Sequence, residues 1–493
     1  MKLKPAVLIF VLNLAIANSV FAVWPVFHAN PERTGYLNST APSKPKILWQ
    51  ITRKDLGNYG IKEFEAGQIA PVISGSKVFV AGAYVLALEL KTGKLLWQYR
   101  DSAADFYPSG ALAVGNEKIF VAVNNTDNLR TMDQGYIYAL NQATGKFLWK
   151  TKLNRSVSHS YPLIVENKIF IGDDSGIVYA LNSETGKIVW QKYLDSAEVI
   201  HSSPAYYNGL LYIGTEGSSR SNENPSRLYA LNYQTGEVVW RYEIDFLSGK
   251  LNLIHGTPAI SNNIVYFGSE NGYFYAVSAD NGKLVWKKQI GFGADNIVGI
   301  TTAPSVGYGK VFVNTWSGNF FALKRDTGDI VWEFSTEPGE ANSAPVLADK
   351  KVYFGAGDYF YCLDANTGKL IWKEKWGGFS AALAEGILIA INPLAMEGFS
   401  DQGIILAVSD KAKSAEAVKP NQESKTPELV EQAGQSEQLE PEMSGPKQEQ
   451  AKPADFWSNF EKKLKWQSVA VVIAGLISIF GIIYLYLRGR KNN

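Results

Sequence analysis

Three of the four histidines in this 493-residue chain recur at one spacing, and their imidazole rings are the side chains best suited to chemistry. Each precedes a proline by three residues, and the set is His159, His201 and His255. Neutral imidazoles bind zinc, copper, iron and nickel, and a protonated imidazole attracts anions. The spacing therefore indicates a site for a metal ion or a small anionic ligand. The alternative is structural: the rings hydrogen-bond to the backbone or line a water-filled channel, since no carboxylate accompanies them at metal-ligand spacing.

Other polar or aromatic residues share this predicted site. Gln68 and Asn342 also precede a proline by three residues. Trp316 lies in a turn where small polar residues are usual, and an aromatic ring there is able to stack on a ligand or to cap a neighbouring element. We predict that these three residues and the three histidines line one binding site. No side chains in the sequence indicate a catalytic group, so no catalytic residue is predicted.

The predicted site residues belong to a repeat that fills most of the chain. Its clearest phrase is Tyr-Ala-Leu-Asn, a few variable residues, Thr-Gly-Lys, two apolar residues and Trp, as in Tyr179 to Trp190. The closing tryptophans lie 40 to 52 residues apart, and they are Trp97, Trp149, Trp190, Trp240, Trp286, Trp332 and Trp372. This period is typical of four-stranded propeller blades, and the residues on each side of the Gly turn alternate as strands do. We interpret the tryptophans as wedges that dock one blade on the next.

Seven complete repeats leave a fragment at each end of the chain. Residues 380–409 supply three strands without a Thr-Gly turn or a Trp, and Trp49 closes a lone strand one period before Trp97. Joining the fragments completes another blade and removes the open edges of the sheet. The sequence therefore predicts an all-β, eight-bladed propeller over residues 23–410, closed by strands from both ends, with Trp49 as the eighth docking residue. Longer loops collect on one face of it, which is where we expect binding.

The phrase Ala-x-Asn/Asp-x-x-Thr-Gly-Lys-x-x-Trp resembles the tryptophan-docking repeat of the quinoprotein (PQQ-type) propellers. It is also similar to the repeat of the non-enzymatic, BamB-like propellers, and the segment 24–35 is similar to the lead-in of bacterial members. Resemblance to the enzymes implies pyrroloquinoline quinone (PQQ) with calcium and, in many of them, two adjacent cysteines. This chain has a single cysteine, Cys362. Resemblance to the non-enzymatic group implies a protein-binding platform without a cofactor.

The two chain ends predict export and a membrane anchor. Residues 1–22 resemble a signal peptide, with two lysines, an apolar run and small residues before the cleavage point. Residues 411–455 are rich in Pro, Glu, Gln and Lys, which predicts a disordered linker. Residues 456–466 are aromatic and basic and suit a membrane interface. The uncharged residues 467–487 measure about 31 Å as a helix, which is enough to span a bilayer.

An N-terminal signal peptide followed by a C-terminal membrane helix places residues 488–493 in the cytoplasm. The propeller then lies on the extracytoplasmic side of the plasma (inner) membrane. A formal net charge of +1 gives no reason to expect nucleic acid as a partner. We therefore predict a single-pass, membrane-anchored propeller that binds an envelope or membrane protein or a ligand without catalysis. The alternative is a PQQ- and calcium-dependent quinoprotein oxidoreductase.

Overall fold

The described residues form eight antiparallel sheets of four strands each, arranged as the blades of a propeller. The computed structural model describes residues 24–58, 70–102, 106–125, 134–194, 199–217, 224–291, 299–337, 343–376, 381–392 and 404–411. First strands of neighbouring blades lie side by side, so they are the innermost strands around the central channel. The predicted all-β, eight-bladed fold is confirmed.

Strand bounds repeat closely from blade to blade because each copy of the phrase folds in the same way. The chain begins with β1 (Lys46–Ile51) and a short helix α1 (Arg53–Asn58). The first four blades, numbered in chain order, are blade 1 (β2 Val72–Ser74, β3 Lys77–Ala81, β4 Val85–Glu89, β5 Leu95–Tyr99), blade 2 (β6 Phe106–Gly115, β7 Lys118–Asn125, β8 Gln134–Asn141, β9 Phe147–Lys152), blade 3 (β10 Leu163–Val165, β11 Lys168–Gly172, β12 Ile177–Asn182, β13 Ile188–Tyr193) and blade 4 (β14 Ala205–Tyr207, β15 Leu210–Gly214, β16 Arg227–Asn232, β17 Val238–Glu243).

The remaining blades continue the pattern until the last, which lacks its own fourth strand. They are blade 5 (β18 Ala259–Ser261, β19 Ile264–Gly268, β20 Tyr273–Ser278, β21 Leu284–Gln289), blade 6 (β22 Ser305–Gly307, β23 Lys310–Asn314, β24 Asn319–Lys324, β25 Ile330–Ser335), blade 7 (β26 Val346–Ala348, β27 Lys351–Ala356, β28 Tyr359–Asp364, β29 Leu370–Glu374) and blade 8 (β30 Ala382–Ala384, β31 Ile387–Ile391, β32 Ile405–Ser409). Strand β1 completes blade 8 by pairing with β32, and Trp49 lies opposite Ala407.

Every docking tryptophan except Trp372 packs on the glycine of the next repeat, which explains why the phrase carries both residues. At blades 4 and 5, the Trp240 Nε1–H donates to the Ala279 carbonyl at 2.9 Å. Gly282 has a φ of +69°, and a Cβ there would lie 2.6 Å from the Trp240 ring. Glycine is therefore required at this position for two reasons, its positive φ and the lack of space for a side chain. Trp97 is 4 % exposed, whereas Trp149, Trp190 and Trp240 are half-buried.

Residues 24–37, which we call the lead-in, cross one end of the central channel. Backbone N–H groups of inner strands donate to its carbonyls in turn, with Tyr206 bonded to Pro31, Ile260 to Glu32, Val306 to Thr34 and Leu347 to Gly35. Trp24 pairs with Ile73 of blade 1, and Val114 of blade 2 donates to Pro25. The lead-in thus satisfies inner-strand groups of six blades, which stabilises this end of the channel.

Arg33 is the centre of the lead-in and is fully buried. Its guanidinium donates to the carbonyls of Phe27 at 2.6 Å, Pro204 at 3.1 Å, Pro162 at 3.2 Å and Tyr161 at 3.4 Å. Two of those oxygens belong to residues just before the first strand of blade 3, which is not among the six blades bonded to the lead-in backbone. Burial lowers the pKa of Arg33 to about 9. The side chain therefore stays charged at neutral pH and links the lead-in to a seventh blade.

Several predicted segments lie outside the described residues. These are the signal peptide (1–22), the linker (411–455, apart from Lys411), the interfacial segment (456–466), the membrane helix (467–487) and the cytoplasmic tail (488–493). Within the parts of the chain that the structure describes, no helix is long and apolar enough to cross a membrane.

Candidate functional site

The three repeat-position histidines meet at the channel end opposite the lead-in. Each stands just before the first strand of its blade, in blades 3, 4 and 5, and each inner strand runs from its histidine toward the lead-in. The ring centroids form a nearly equilateral triangle, with sides of 5.0 Å (His159 to His201), 5.1 Å (His159 to His255) and 4.9 Å (His201 to His255). The radial symmetry of the propeller brings together side chains more than 40 residues apart.

Three carboxylates surround these rings. The Glu216 Oε1 atom lies 2.9 Å from Nδ1 of His201 and 2.9 Å from Nδ1 of His255. Glu270 Oε1 is 3.6 Å from the same nitrogen of His255, and Asp174 Oδ1 is 3.9 Å from Nε2 of His201. We call His159, His201, His255, Asp174, Glu216 and Glu270 the histidine cluster.

The expectation that no carboxylate accompanies the histidines is wrong. Asp174, Glu216 and Glu270 each stand two residues after the glycine that ends the second strand of a blade, in the same three blades as the histidines. They were missed because each lies 15 residues beyond a histidine, and because Asp174 also resembles part of an ordinary Asp-rich turn. Superposing the repeats would have found them, since all three occupy one repeat position.

Burial and charge divide the protonation states within the histidine cluster. Burial, with the neighbouring imidazoles His255 and His201, lowers the pKa of His159 to about 3. Burial also disfavours the charged form of His201, but hydrogen bonding and the charge of Glu216, with Asp174 and Glu270 beside it, raise the pKa of His201 above its ordinary value. Against burial, hydrogen bonds from His201 and His255 hold the pKa of Glu216 well below its usual range. Burial raises the pKa of Glu270.

The arrangement therefore favours the neutral form of His159 and stabilises the charged forms of the hydrogen-bonded pair His201 and Glu216. His159 Nδ1 is buried, and it has no hydrogen-bond partner among the described residues. Its backbone adopts a φ of +60°, an uncommon conformation for a residue with a side chain. The contacts of His201 and His255 run to carboxylates, so the structural alternative in which the rings serve the strand backbone does not describe them.

The other predicted site residues are not part of this cluster as far as the structure describes them. Gln68 and Asn342 lie outside the described residues. Trp316 occupies in blade 6 the repeat position that Glu270 holds in blade 5. It is half-buried, and its backbone N–H donates to the Gly299 carbonyl at 3.0 Å. Among the described residues, no hydrogen bond or ring contact joins Trp316 to the three histidines.

The described residues gathered at the channel do not fit a PQQ–calcium centre. Calcium takes six to eight oxygen ligands, whereas this cluster presents three imidazoles among three carboxylates. Cys362 is the only cysteine in the sequence, so a pair of adjacent cysteines is excluded. It is fully buried in β28, where burial raises the pKa of its thiol. Cys362 is therefore a packing residue of blade 7.

The fold and the docking pattern define a class: an eight-bladed propeller of the tryptophan-docking, PQQ-like type. Residues 81–299 and 270–409 match the family described as "Outer membrane protein assembly factor BamB", and together they make up most of the chain. The chain belongs to this family. No curated protein matches it in sequence.

Solved structures with the same fold include BamB and several dehydrogenases. BamB from Moraxella catarrhalis is 18% identical, with a TM-score of 0.57, and the match covers 74% of this chain and 99% of that chain. A europium-containing methanol dehydrogenase is 15% identical, with a TM-score of 0.61, and the match covers 79% of this chain and 98% of that chain. The quinohemoprotein alcohol dehydrogenase from Comamonas testosteroni is 15% identical, with a TM-score of 0.64 and coverage of 80% and 81%. At this level of identity the likeness concerns the fold alone.

Proposed function

We propose that this protein is a membrane-anchored, extracytoplasmic scaffold that binds an envelope protein through one face of its propeller. We call this face the insert face; it carries the loops from second to third strands and those from fourth strands to the next blade. The observation that carries the proposal is the asymmetry of the channel. The lead-in occupies the opposite end, so a partner that engages the channel approaches from the insert face, where the histidine cluster lies.

Membership of the BamB family supports a binding role over catalysis. The residues that define the repeat serve packing and have no chemistry of their own, because the tryptophans and glycines hold neighbouring blades together. Rigid scaffolds commonly present binding residues on loops, and the longer connections of this chain are on the insert face. The loop between β17 and β18, which includes the exposed Ser248, is one of them.

Photo-crosslinking tests the choice of face. A photoreactive amino acid is placed at Ser248 on the insert face and, as a matched control, at Gln234 in the exposed turn between β16 and β17 of the same blade. After irradiation of cells, we expect a discrete adduct with an envelope protein at position 248 and none at position 234. Adducts at 234 alone, or equal adducts at both positions, would overturn the assignment of the face.

The membrane anchor is a separate part of the proposal, supported by residues 467–487 and by the signal-like residues 1–22. Deleting residues 456–493 is expected to move the protein from the membrane fraction to the soluble extracytoplasmic fraction. A truncated chain that stays with membranes after carbonate extraction would contradict anchoring by this segment. Deleting residues 420–450 instead is the control, because it shortens the predicted linker and leaves the anchor in place.

A quinoprotein oxidoreductase is the second candidate, and only the fold of the dehydrogenase neighbours favours it. The test is addition of PQQ and calcium to the full-length protein, followed by dye-coupled oxidation of alcohols or sugars. We expect neither saturable PQQ binding nor turnover. Turnover that depends on both additions would replace the scaffold proposal with the enzymatic one.

A further inference from the structure

The ring nitrogens of the three clustered histidines lie close enough together to surround a metal ion. Zinc lies about 2.1 Å from its nitrogen and oxygen ligands, so neighbouring ligand atoms of a tetrahedral site are roughly 3.4 Å apart. Glu216 Oε1 lies at hydrogen-bond distance, 2.9 Å, from Nδ1 of both His201 and His255, as an outer carboxylate does. One nitrogen from each of the three rings lies within 4.8 Å of the others. Shifts of about 1 Å in the rings would bring them to bonding geometry.

The surroundings of the rings are those of metal-ligating histidines. A ligating imidazole usually donates its second N–H to a carboxylate or carbonyl, which fixes its tautomer. His201 has Glu216 beside Nδ1 and Asp174 on the side of Nε2, at 3.9 Å. His159 contributes a buried Nδ1 that has no partner among the described residues. A cation between the rings would supply that partner.

Charge balance also favours a cation at this position. Three carboxylates converge on three rings that are neutral unless protonated, and no Lys or Arg forms an ion pair with Asp174, Glu216 or Glu270 among the described residues. Buried carboxylates need a compensating positive charge, which either protons on histidine or a metal ion supplies.

We propose that His159, His201 and His255 bind a divalent late transition metal ion, with Zn²⁺ as the reference ion, and that Glu216, Asp174 and Glu270 are its outer carboxylates. Imidazole-rich sets select such metals, whereas Ca²⁺ and Mg²⁺ prefer oxygen ligands. The site goes beyond the scaffold role, because it places an ion at the channel mouth whether or not a partner binds there.

Metal binding to the full-length, detergent-solubilised protein, purified without a polyhistidine tag and stripped of metal, tests the proposal directly. We expect one equivalent of Zn²⁺ per chain by calorimetry, one equivalent of Co²⁺ with the intense visible absorption of a tetrahedral ion, and no binding of Ca²⁺ at the same concentration. Binding should release protons, because ligands that are protonated without metal must lose them. Absence of a stoichiometric site for Zn²⁺, Co²⁺, Ni²⁺ and Cu²⁺ would overturn the proposal.

Variants identify the ligands. The triple variant His159→Asn/His201→Asn/His255→Asn should lose binding at least a hundredfold, and asparagine tolerates the positive φ of residue 159. The matched control is His28→Asn, which removes the remaining histidine of the chain from the lead-in and should keep one equivalent of metal. Glu216→Gln should weaken Zn²⁺ binding at least tenfold, whereas Glu237→Gln in an exposed turn should not.

Equal binding by the wild type and the triple variant would refute the assignment of ligands. Circular dichroism and thermal unfolding of each variant identify loss of fold, and a misfolded triple variant is replaced by the single changes at His201 and His255. The outcome is independent of the scaffold proposal, because crosslinking at Ser248 reports a protein partner and metal titration reports an ion.

Discussion

The two ends of the central channel hold similar residues and use them differently. At the lead-in end, Arg33 is fully buried and donates to four backbone carbonyls, and His28 is buried with Nδ1 at 3.0 Å from the Arg33 carbonyl. At the other end, His201 and His255 share the Glu216 carboxylate. Each end also has one buried ring nitrogen without a partner among the described residues, Nε2 of His28 and Nδ1 of His159. The polar side chains of the lead-in end bond to the backbone and therefore stabilise the fold. Those of the histidine cluster contact one another and therefore form a candidate binding site.

The largest expected effect is at Arg33. The change Arg33→Met leaves four buried carbonyls without their donor, and each such loss costs about 1–3 kcal/mol, partly offset by no longer burying a charge. We expect the free energy of unfolding to fall by roughly 4 kcal/mol, measured by urea denaturation. Arg100→Met is the control, since Arg100 is exposed and rests only on the Tyr84 ring in the described contacts. A loss below about 1 kcal/mol at Arg33 would show that the lead-in is not a structural element.

Gly35→Ala tests how tightly the lead-in fits. Gly35 has a φ of +61°, and an added Cβ would lie 2.9 Å from the Pro345 carbonyl and still closer to the Ser305 hydroxyl. We expect a loss of roughly 3 kcal/mol, from backbone strain and overpacking together. Gly75 has a φ of +57°, and no atom lies near an added Cβ. Gly75→Ala therefore measures the backbone strain without overpacking, and we expect a loss of about 1 kcal/mol. Equal losses at the two glycines would contradict a tight fit.

Acidification should weaken the lead-in end. Burial lowers the pKa of His28 to about 4 from its ordinary 6.5, and the Arg33 charge acts in the same direction. The folded state therefore favours neutral His28, and its contribution to stability is complete above pH 6.5 and lost as the pH falls toward 4. The difference amounts to roughly 3 kcal/mol. His28→Asn, which tolerates the φ of +62° at this residue, should flatten the decline in unfolding free energy over this range.

His159 also contributes to the loss of stability on acidification, because its pKa is lowered to about 3. His201 acts oppositely: its raised pKa gives stability that is complete below the ordinary value and lost as the pH rises through the folded value. The His159 contribution therefore changes below pH 6.5 and the His201 contribution above it, so only His159 adds to the decline in stability on acidification. A pH profile that His28→Asn leaves unchanged would assign the acid sensitivity to the cluster instead of the lead-in.

The smallest expected effect on stability is at Glu216. In Glu216→Gln the amide oxygen still accepts a hydrogen bond, so the unfolding free energy should change by only about 1 kcal/mol. The pKa of His201 should fall, because the charge that opposes its burial is gone. Histidine NMR titration of the metal-free protein measures this, with Glu237→Gln as the control. An unchanged His201 pKa would show that Glu216 does not organise the cluster.

The fold was predictable because its determinants are local and periodic. Strand alternation, the Thr-Gly turns and the tryptophan period fix the blades, and the unpaired strand at Trp49 indicates the closure with β32. The repeated phrase contains both the glycine and the tryptophan, but it does not predict that they pack across blades. The ring that Gly282 contacts is that of Trp240, in the preceding blade.

The site was predictable only in part. The histidines were found through their shared position before a proline, but Asp174, Glu216 and Glu270 lie on different loops and join them only after the inner strands converge. The role of Arg33 was hidden for a different reason. Its partners are backbone carbonyls such as that of Pro204. Every residue type has a backbone carbonyl, so the sequence does not indicate which residues accept these hydrogen bonds.

The closure of blade 8 has a consequence for how the chain folds. Strand β1 pairs with β32, and the lead-in bonds to inner strands as distant as β26. Strand β1 is synthesised before any complete blade and therefore finds its partner only after nearly the whole propeller has been made. Such non-local pairing slows folding and leaves a strand edge open to other chains in the meantime. Refolding should accordingly be slow and dependent on protein concentration, and joining the β1 segment to the end of β32 by circular permutation should speed it.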